Sequence, residues 1–197
     1  QVDNIKFEVG KNLKLIDTNQ GTFSGDQFVI SAGVWTKELA KLLGLKILMQ
    51  SGKGYSFTLE NPVEIPNICS ILTEAKVAVT PMIEGLRFAG TMEIGPLNFD
   101  ISQRRVQGIK KSIASYFPSF HLSDFNEAEI WTGLRPCSPD GLPYIGRVKK
   151  LSNVLLATGH GLMGMSLGPI TGKLIAEIAS DQYPRIKISS LAVERFL

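Results

Sequence analysis

The segment NVLLATGHGLMGMSLGPITGKLIAEIA, residues 153–179, sets Gly159, Gly161 and Gly164 between an apolar run with strand character and a segment with helix character. That spacing is a dinucleotide fingerprint, in which glycines let the backbone approach a pyrophosphate at a helix N-terminus. The fingerprint also needs a second strand ending in an acidic residue about 20 positions on. Glu177 and Asp181 stand near that distance, but Glu177 falls inside the helical pattern, Asp181 lies just after it, and Pro184 follows. No second strand–helix–strand unit fits there, so the pyrophosphate reading fails. What survives is a strand, a glycine turn and a helix start, which offer free backbone N–H groups and the positive end of a helix dipole to negative charge on a bound ring. Gly168 and Gly172, four apart, leave one face of the helix nearly bare, suited to a second backbone or a flat ligand. The alternative is that these glycines only permit tight packing.

A chain of 197 residues suffices for one large domain or two small ones, and 44% hydrophobic with 20% charged residues is ordinary globular usage. No apolar run approaches the roughly 20 residues that span a bilayer, and no charged-then-apolar leader stands at Gln1. The net charge of +3 is mild, and the basic pairs Arg104-Arg105, Lys110-Lys111 and Lys149-Lys150 are scattered among acids, so no stripe for nucleic acid is expected. Cys69, Cys137, His121 and His160 match no metal-site spacing; no metal is expected, and free thiols point to a reducing compartment, the cytoplasm.

Strand-like material opens the chain: Ile5, Phe7 and Val9 alternate, Leu13 and Ile16 suggest a second strand, and Asn19–Gly21 a turn. Phe28-Val29-Ile30 reads as a strand buried on both faces, ending in Ser31-Ala32-Gly33. A helix is predicted from Trp35 to Leu43, with Trp35, Leu39, Leu42 and Leu43 on one face and Gly44 as its stop. Strand-like runs follow at Lys46–Gln50, Tyr55–Leu59, Cys69–Thr73, Val77–Pro81 and Leu86–Gly90, joined by short turns as in an antiparallel sheet. A second helix is predicted from Gln103 to about Tyr116, capped by Ser102, with Val106, Ile109 and Ile113 inward and Arg104, Arg105, Lys110 and Lys111 elsewhere. WTGLRPCSPDGLPYIG carries too much Pro and Gly for a long regular element. A strand at Val154–Ala157, the glycine turn and a helix through Ala179 complete the pattern.

Four stretches together resemble the D-amino-acid dehydrogenase small-subunit group of flavin-dependent amine oxidoreductases, in the superfamily of D-amino-acid oxidase, glycine oxidase and sarcosine oxidase. VISAGVWTKELAKLLG is similar to the family's strand, Ala-Gly and helix, and SGKGYSF to its Lys-Gly-Tyr segment. WTGLRPCSPDGLPYIG resembles its Trp-x-Gly-x-Arg-Pro-x-x-Pro-Asp-Gly block, and LLATGHGLMGMSLGPITGKLIAEI its C-terminal Gly-His-Gly segment. AKVAVTPMIEGLRFAGTMEI has the strand–turn–strand character expected between them, and the likeness runs from about residue 5 to residue 190. The family's early FAD fingerprint has no counterpart here, so the chain is expected to be the C-terminal part of a longer enzyme. The implied fold is mixed α/β (α+β): an antiparallel substrate-domain sheet with flanking helices, plus C-terminal remnants of an FAD-binding Rossmann-like domain. Residues 1–44 and 131–197 would belong to the FAD-binding domain and 45–130 to the substrate-binding domain.

The resemblance implies oxidation of an amino acid CH–NH2 bond, with hydride passing to FAD and no catalytic side chain beyond the flavin. Arg135 would bind the substrate carboxylate through its guanidinium fork, with Tyr55, Lys53 and Met92 as further substrate-side residues. Gly33, Gly159, His160, Gly161, Leu162, Met163 and Gly164 would face the flavin. His160 has only glycines beside it and no adjacent orienting carboxylate, which favours a structural or flavin-contacting role over acid–base work. The residues leave the electron acceptor open, and with it an oxygen-using oxidase of the glycine or sarcosine type. They also leave open a substrate-binding or interaction module without activity of its own. No nucleic-acid partner is implied. Loss of a partnering half is expected to expose Val29, Ile30 and the last helix and to promote self-association, and association with the inner face of the membrane is left open.

Overall fold

A computed structural model describes residues 5–9 and 12–196, with side chains from residue 12 onward. The strands are β1 (Ile5–Val9), β2 (Leu13–Thr18), β3 (Gly21–Ser24), β4 (Phe28–Ile30), β5 (Gln50–Leu59), β6 (Ser70–Leu72), β7 (Val77–Met82), β8 (Gly85–Gly95), β9 (Trp131–Cys137), β10 (Tyr144–Arg147) and β11 (Val154–Thr158). The helices are α1 (Thr36–Leu42), α2 (Gln103–Tyr116) and α3 (Gly164–Ala179). Two compact units result: the chain up to Ser51 together with that from Arg135, and Gly52–Leu134 between them. These limits fall inside β5 and β9, where no shift in composition marks them, whereas the sequence pattern changes at 44 and 130.

In the first unit, β1, β2 and β3 form an antiparallel meander. The strand alternation read at Ile5, Phe7 and Val9 concerns side chains outside the described set, as do residues 1–4. A second sheet has the order β10-β11-β4, with β11 antiparallel to β10 and parallel to β4. Its β11 is buried on both faces: Val154 and Leu156 pack with Ala40, Leu43 and Ile30, while Leu155 packs with Leu174 and Ile175 of α3. Each such side chain contributes about 1.5–3 kcal/mol. The same does not hold for β4, whose Val29 is 48% exposed between buried Phe28 and Ile30.

Three other local expectations are corrected, and one strand had no signal in the sequence. The first helix turns its Thr36, Ala40 and Leu43 inward and leaves Trp35 and Leu42 exposed. Gly33–Trp35 is a 3-10 turn, whose three-residue period shifts the phase before α1 begins. Lys46–Met49 joins no ladder; Ile47 and Met49 are buried and Leu48 exposed, which imitates strand alternation without the hydrogen bonds. The Pro- and Gly-rich block holds β9 and β10, leaving only 138–143 irregular. Pro136 is tolerated because β9 is the last strand of its sheet, where a ladder donor can be spared. Finally, β3 is a strand with every residue exposed, so no alternation announces it.

The second unit carries the sheet order β6-β7-β8-β5-β9, with β6, β7 and β8 antiparallel. One face is covered by α2: Val106, Ile109 and Ile113 pack with Tyr55, Phe57, Leu59, Val77, Val79, Leu86 and Phe88. Phe57, Phe88, Phe120 and Phe125 form an aromatic cluster with centroids 5.7–6.0 Å apart. Gly90 permits this approach, since a Cβ there would lie 3.0 Å from Ile109 Cγ1 and 3.1 Å from Val77 Cγ2. Lys110, expected to face away, is buried and donates to the Phe125 carbonyl at 2.7 Å. Ser102 occupies the N-cap of α2 but makes no side-chain capping bond.

The strand β8 reverses phase midway. Leu86, Phe88 and Gly90 face α2, and simple alternation would send Met92 after them. Instead Thr91 adopts φ +56°, and its N–H donates to the carbonyl of Lys76, itself at φ +55°. After this bulge Glu93 reaches the α2 side, and Met92 is 44% exposed.

Candidate cofactor and substrate site

In the first unit, the C-terminal ends of the parallel neighbours β4 and β11 lead into Gly33 and Gly159. Crevices at such strand ends are where open α/β sheets bind ligands. Thr158 Oγ1 donates to the Gly33 carbonyl at 3.0 Å and so ties the two loops together. Gly33, Gly159 and Gly161 all have left-handed backbones, at φ +55°, +82° and +54°, which side chains resist. A Cβ at Gly33 or Gly161 would meet nothing within 4 Å, whereas one at Gly159 would press on the Tyr144 ring at 3.1 Å. The glycines therefore leave open space in front and close packing behind.

The turn continues through a 3-10 segment, Gly161–Met163, into α3. No side chain caps α3, and its first N–H groups have no intrahelical partners. Leu162 and Met163 are exposed, and Gly168 and Gly172 border open space. His160 Nε2 lies 2.9 Å from Thr171 Oγ1, a partially buried pair. Burial pushes the His160 pKa down, which keeps the ring neutral at pH 7.

An antiparallel bridge joins His160 to Cys137 at the end of β9, and Cys137 Sγ donates to the Arg135 carbonyl at 3.6 Å. Burial raises the Cys137 thiol pKa, with the Arg135 charge acting in the opposite direction. Arg135 Nη1 is buried and has no hydrogen-bond partner among the described residues. A buried donor left unpaired costs about 1–3 kcal/mol, so this atom suits an anionic acceptor. Arg135, Gly33 and the whole Gly159–Gly164 turn thus share one unit.

Lys53, Tyr55 and Met92 lie in the other. Lys53 is only 5% exposed, and its ammonium donates to Asn98 Oδ1 and the Asp100 carbonyl, both at 2.7 Å. Tyr55 is buried; its hydroxyl donates to Glu93 Oε2 at 2.6 Å and accepts from the Ser102 amide at 3.4 Å. Burial first, then the Glu93 bond, raise the Tyr55 pKa. The same bond, aided by the charges of Lys53 and Arg105, lowers that of Glu93, which pairs with Arg105 Nε at 3.0 Å. Sequence reasoning missed Thr158, Thr171, Thr91 and Glu93. Glu93 stood beside Met92 in the GTME stretch, while the threonines carried no signal.

A family model described as DAO, FAD dependent oxidoreductase, matches residues 1–178. The chain belongs to this family. A D-amino acid dehydrogenase from Vibrio atlanticus (strain LGP32) is 36% identical over 187 residues, 94% of this chain and 44% of that protein. A D-amino-acid oxidase from Bradyrhizobium diazoefficiens is 31% identical over 189 residues, 95% of this chain and 45% of that protein. Among solved structures, glycine oxidase from Geobacillus kaustophilus superimposes with a TM-score of 0.82 at 24% identity, covering 100% of this chain and 52% of its own. This chain of the FAD dependent oxidoreductase family thus has the expected mixed α/β fold, and it spans less than half the length of the curated relatives. Its open space at Gly33 and Gly161 and the uncapped start of α3 fit a flat, electron-accepting ring. No helix among the described residues is long and apolar enough to cross a membrane.

Proposed function

We propose that this chain supplies the substrate side and the flavin-ring contacts of an enzyme that oxidises the CH–NH2 bond of an amino acid, a D-amino acid on the names of its relatives. The observation that carries the reading is the tie between Gly33 and Thr158 at the ends of parallel strands, with the β9 end bridged to His160 beside it. FAD supplies the hydride acceptor. Gly33, Gly159, Gly161, Leu162, Met163 and Gly164 line its ring, and backbone N–H groups at the start of α3 favour negative charge there. His160 acts as a neutral spacer bonded to Thr171. Arg135 takes the substrate carboxylate on its unpaired Nη1.

Met92, exposed beyond the Thr91 bulge, is the substrate-side residue of the second unit in this reading. Lys53, bonded to Asn98 and Asp100, and Tyr55, bonded to Glu93 and Ser102, are further substrate-side residues of this reading. The same reading assigns 1–44 and 131–197 to a flavin domain and 45–130 to a substrate domain. It places the protein in the cytoplasm, consistent with the unpaired thiols of Cys69 and Cys137. Exposed Val29, Trp35, Leu162, Met163 and Met165 support self-association of the chain by itself. The relative named as an oxidase supports oxygen as a second choice of acceptor.

The test is an absorbance spectrum between about 350 and 500 nm of the longest natural form of the protein. Flavin bands that bleach anaerobically with a D-amino acid and not with its L enantiomer are expected. A protein that takes up no FAD would overturn the reading.

A further inference from the structure

The last described residues of the chain reach back to the 138–143 loop and to Tyr144. Arg195 uses all five of its N–H donors. Nε and Nη2 fork onto Asp140, at 2.8 Å to Oδ2 and 2.9 Å to Oδ1. Nη2 also donates to the Leu142 carbonyl at 2.7 Å, and Nη1 to the carbonyls of Pro143 at 3.3 Å and Ala192 at 3.2 Å. The guanidinium lies 3.9 Å from the centre of the Tyr144 ring and 4.8 Å from that of Phe196. A saturated guanidinium at this depth binds no ligand of its own; it fixes what it touches.

What it touches is the back of the Gly159 turn. Tyr144 is fully buried and pairs across the ladder with Thr158, and its hydroxyl donates to the Leu48 carbonyl at 2.7 Å. Its ring is the surface against which Gly159 rests, so close that a Cβ there would sit 3.1 Å from Cδ2 and the ring would have to give. Thr158 in turn holds Gly33. One continuous chain of contacts therefore runs from Arg195 through Tyr144 to both glycine loops, inside a single unit.

We propose that Arg195 is a positioning residue for the Gly33 and Gly159–Gly164 loops, acting through Tyr144 and anchored by Asp140. The inference rests on the proposed function only in taking those loops to face the flavin. Without Arg195 the 138–143 loop loses its clamp and the Tyr144 ring loses its cover. The glycine turn then samples conformations that do not fit a rigid ring, and binding weakens through lost preorganisation.

The test uses Arg195→Met, Arg195→Lys and Asp140→Asn in the longest natural form of the protein. Two quantities are read: the FAD dissociation constant by flavin fluorescence, and amide hydrogen exchange without flavin. Arg195→Met is expected to weaken FAD binding and speed exchange at 158–161 by about tenfold or more, with exchange in α2 unchanged. Arg195→Lys, which keeps charge without the fork, falls between it and wild type. A simply structural role would instead speed exchange throughout the unit, β4 and α3 included, and would overturn the proposal. So would an unchanged dissociation constant and unchanged exchange at 158–161. Should Arg195→Met not fold, the same criteria apply to Arg195→Lys and Asp140→Asn. Wild-type protein that takes up no flavin would remove the proposed function, while the exchange measurement would still decide whether Arg195 holds the turn.

Discussion

The hydroxyl of Tyr55 sits between Glu93 Oε2, to which it donates at 2.6 Å, and the Ser102 amide, from which it accepts at 3.4 Å. One buried oxygen thus joins β5, the far end of β8 and the start of α2. Tyr55→Phe removes both bonds and leaves the ring in place. Loss of about 1–2 kcal/mol of stability is expected, read from the urea midpoint at constant m.

Thr91 carries two unfavourable features at once: a left-handed backbone on a β-branched residue, and a buried hydroxyl without a partner among the described residues. Glycine tolerates the backbone and has no hydroxyl. Thr91→Gly should therefore stabilise the protein by about 0.5–1 kcal/mol, against the usual sign for glycine in a strand. Thr91→Val keeps the strained backbone, so a comparable gain there would show that strain is not the cause.

Arg135 predicts a split between stability and binding. Its unpaired buried Nη1 is a cost to the folded chain of about 1–3 kcal/mol, so Arg135→Met should hold or raise the melting temperature. Affinity for an amino-acid carboxylate, followed by flavin absorbance in the longest natural form, should fall by about a hundredfold. Arg135→Lys restores the charge without the fork and should recover only part of the loss. Equal affinity in Arg135→Met would remove Arg135 from the substrate site.

Burial lowers the His160 pKa, so the unfolded chain binds a proton there more readily than the folded one. Stability must then fall as pH drops through the ordinary histidine value near 6.5, and the loss ends once the folded ring is itself protonated. His160→Gln should flatten that part of the stability–pH curve. An unchanged slope between pH 7 and 5 would mean that the ring titrates normally.

Periodic elements were legible in the sequence, because their signal lies in the chain itself. The α2 limits, the inward Val106, Ile109 and Ile113, and the turn from β11 into α3 all follow from spacing and glycine chemistry. Elements that depend on partners distant in sequence were not. Position at a sheet edge makes β9 a strand despite Pro136, and a 3-10 turn ahead of α1 rotates its buried face. The candidate site divides in the same way. Its glycines announced themselves through their spacing, whereas Thr158, Thr171 and Tyr144 owe their places to contacts that no local pattern records. Arg195 carries no local signal either, because its place depends on Asp140, 55 residues away in sequence.

The division into one unit continuous in sequence and another built from both ends of the chain has a kinetic consequence. Residues 52–134 can collapse on contacts close in sequence, led by the β7–β8 hairpin and α2. The parallel ladder of β4 and β11 cannot form until residues 28–30 find residues 154–156. While the intervening stretch is unfolded, that encounter carries the full entropy of a long loop. Once the stretch has condensed, its ends are no longer free to wander, and the search shortens. The glycine loops at the ends of those two strands would then be among the last parts of the molecule to acquire their shape.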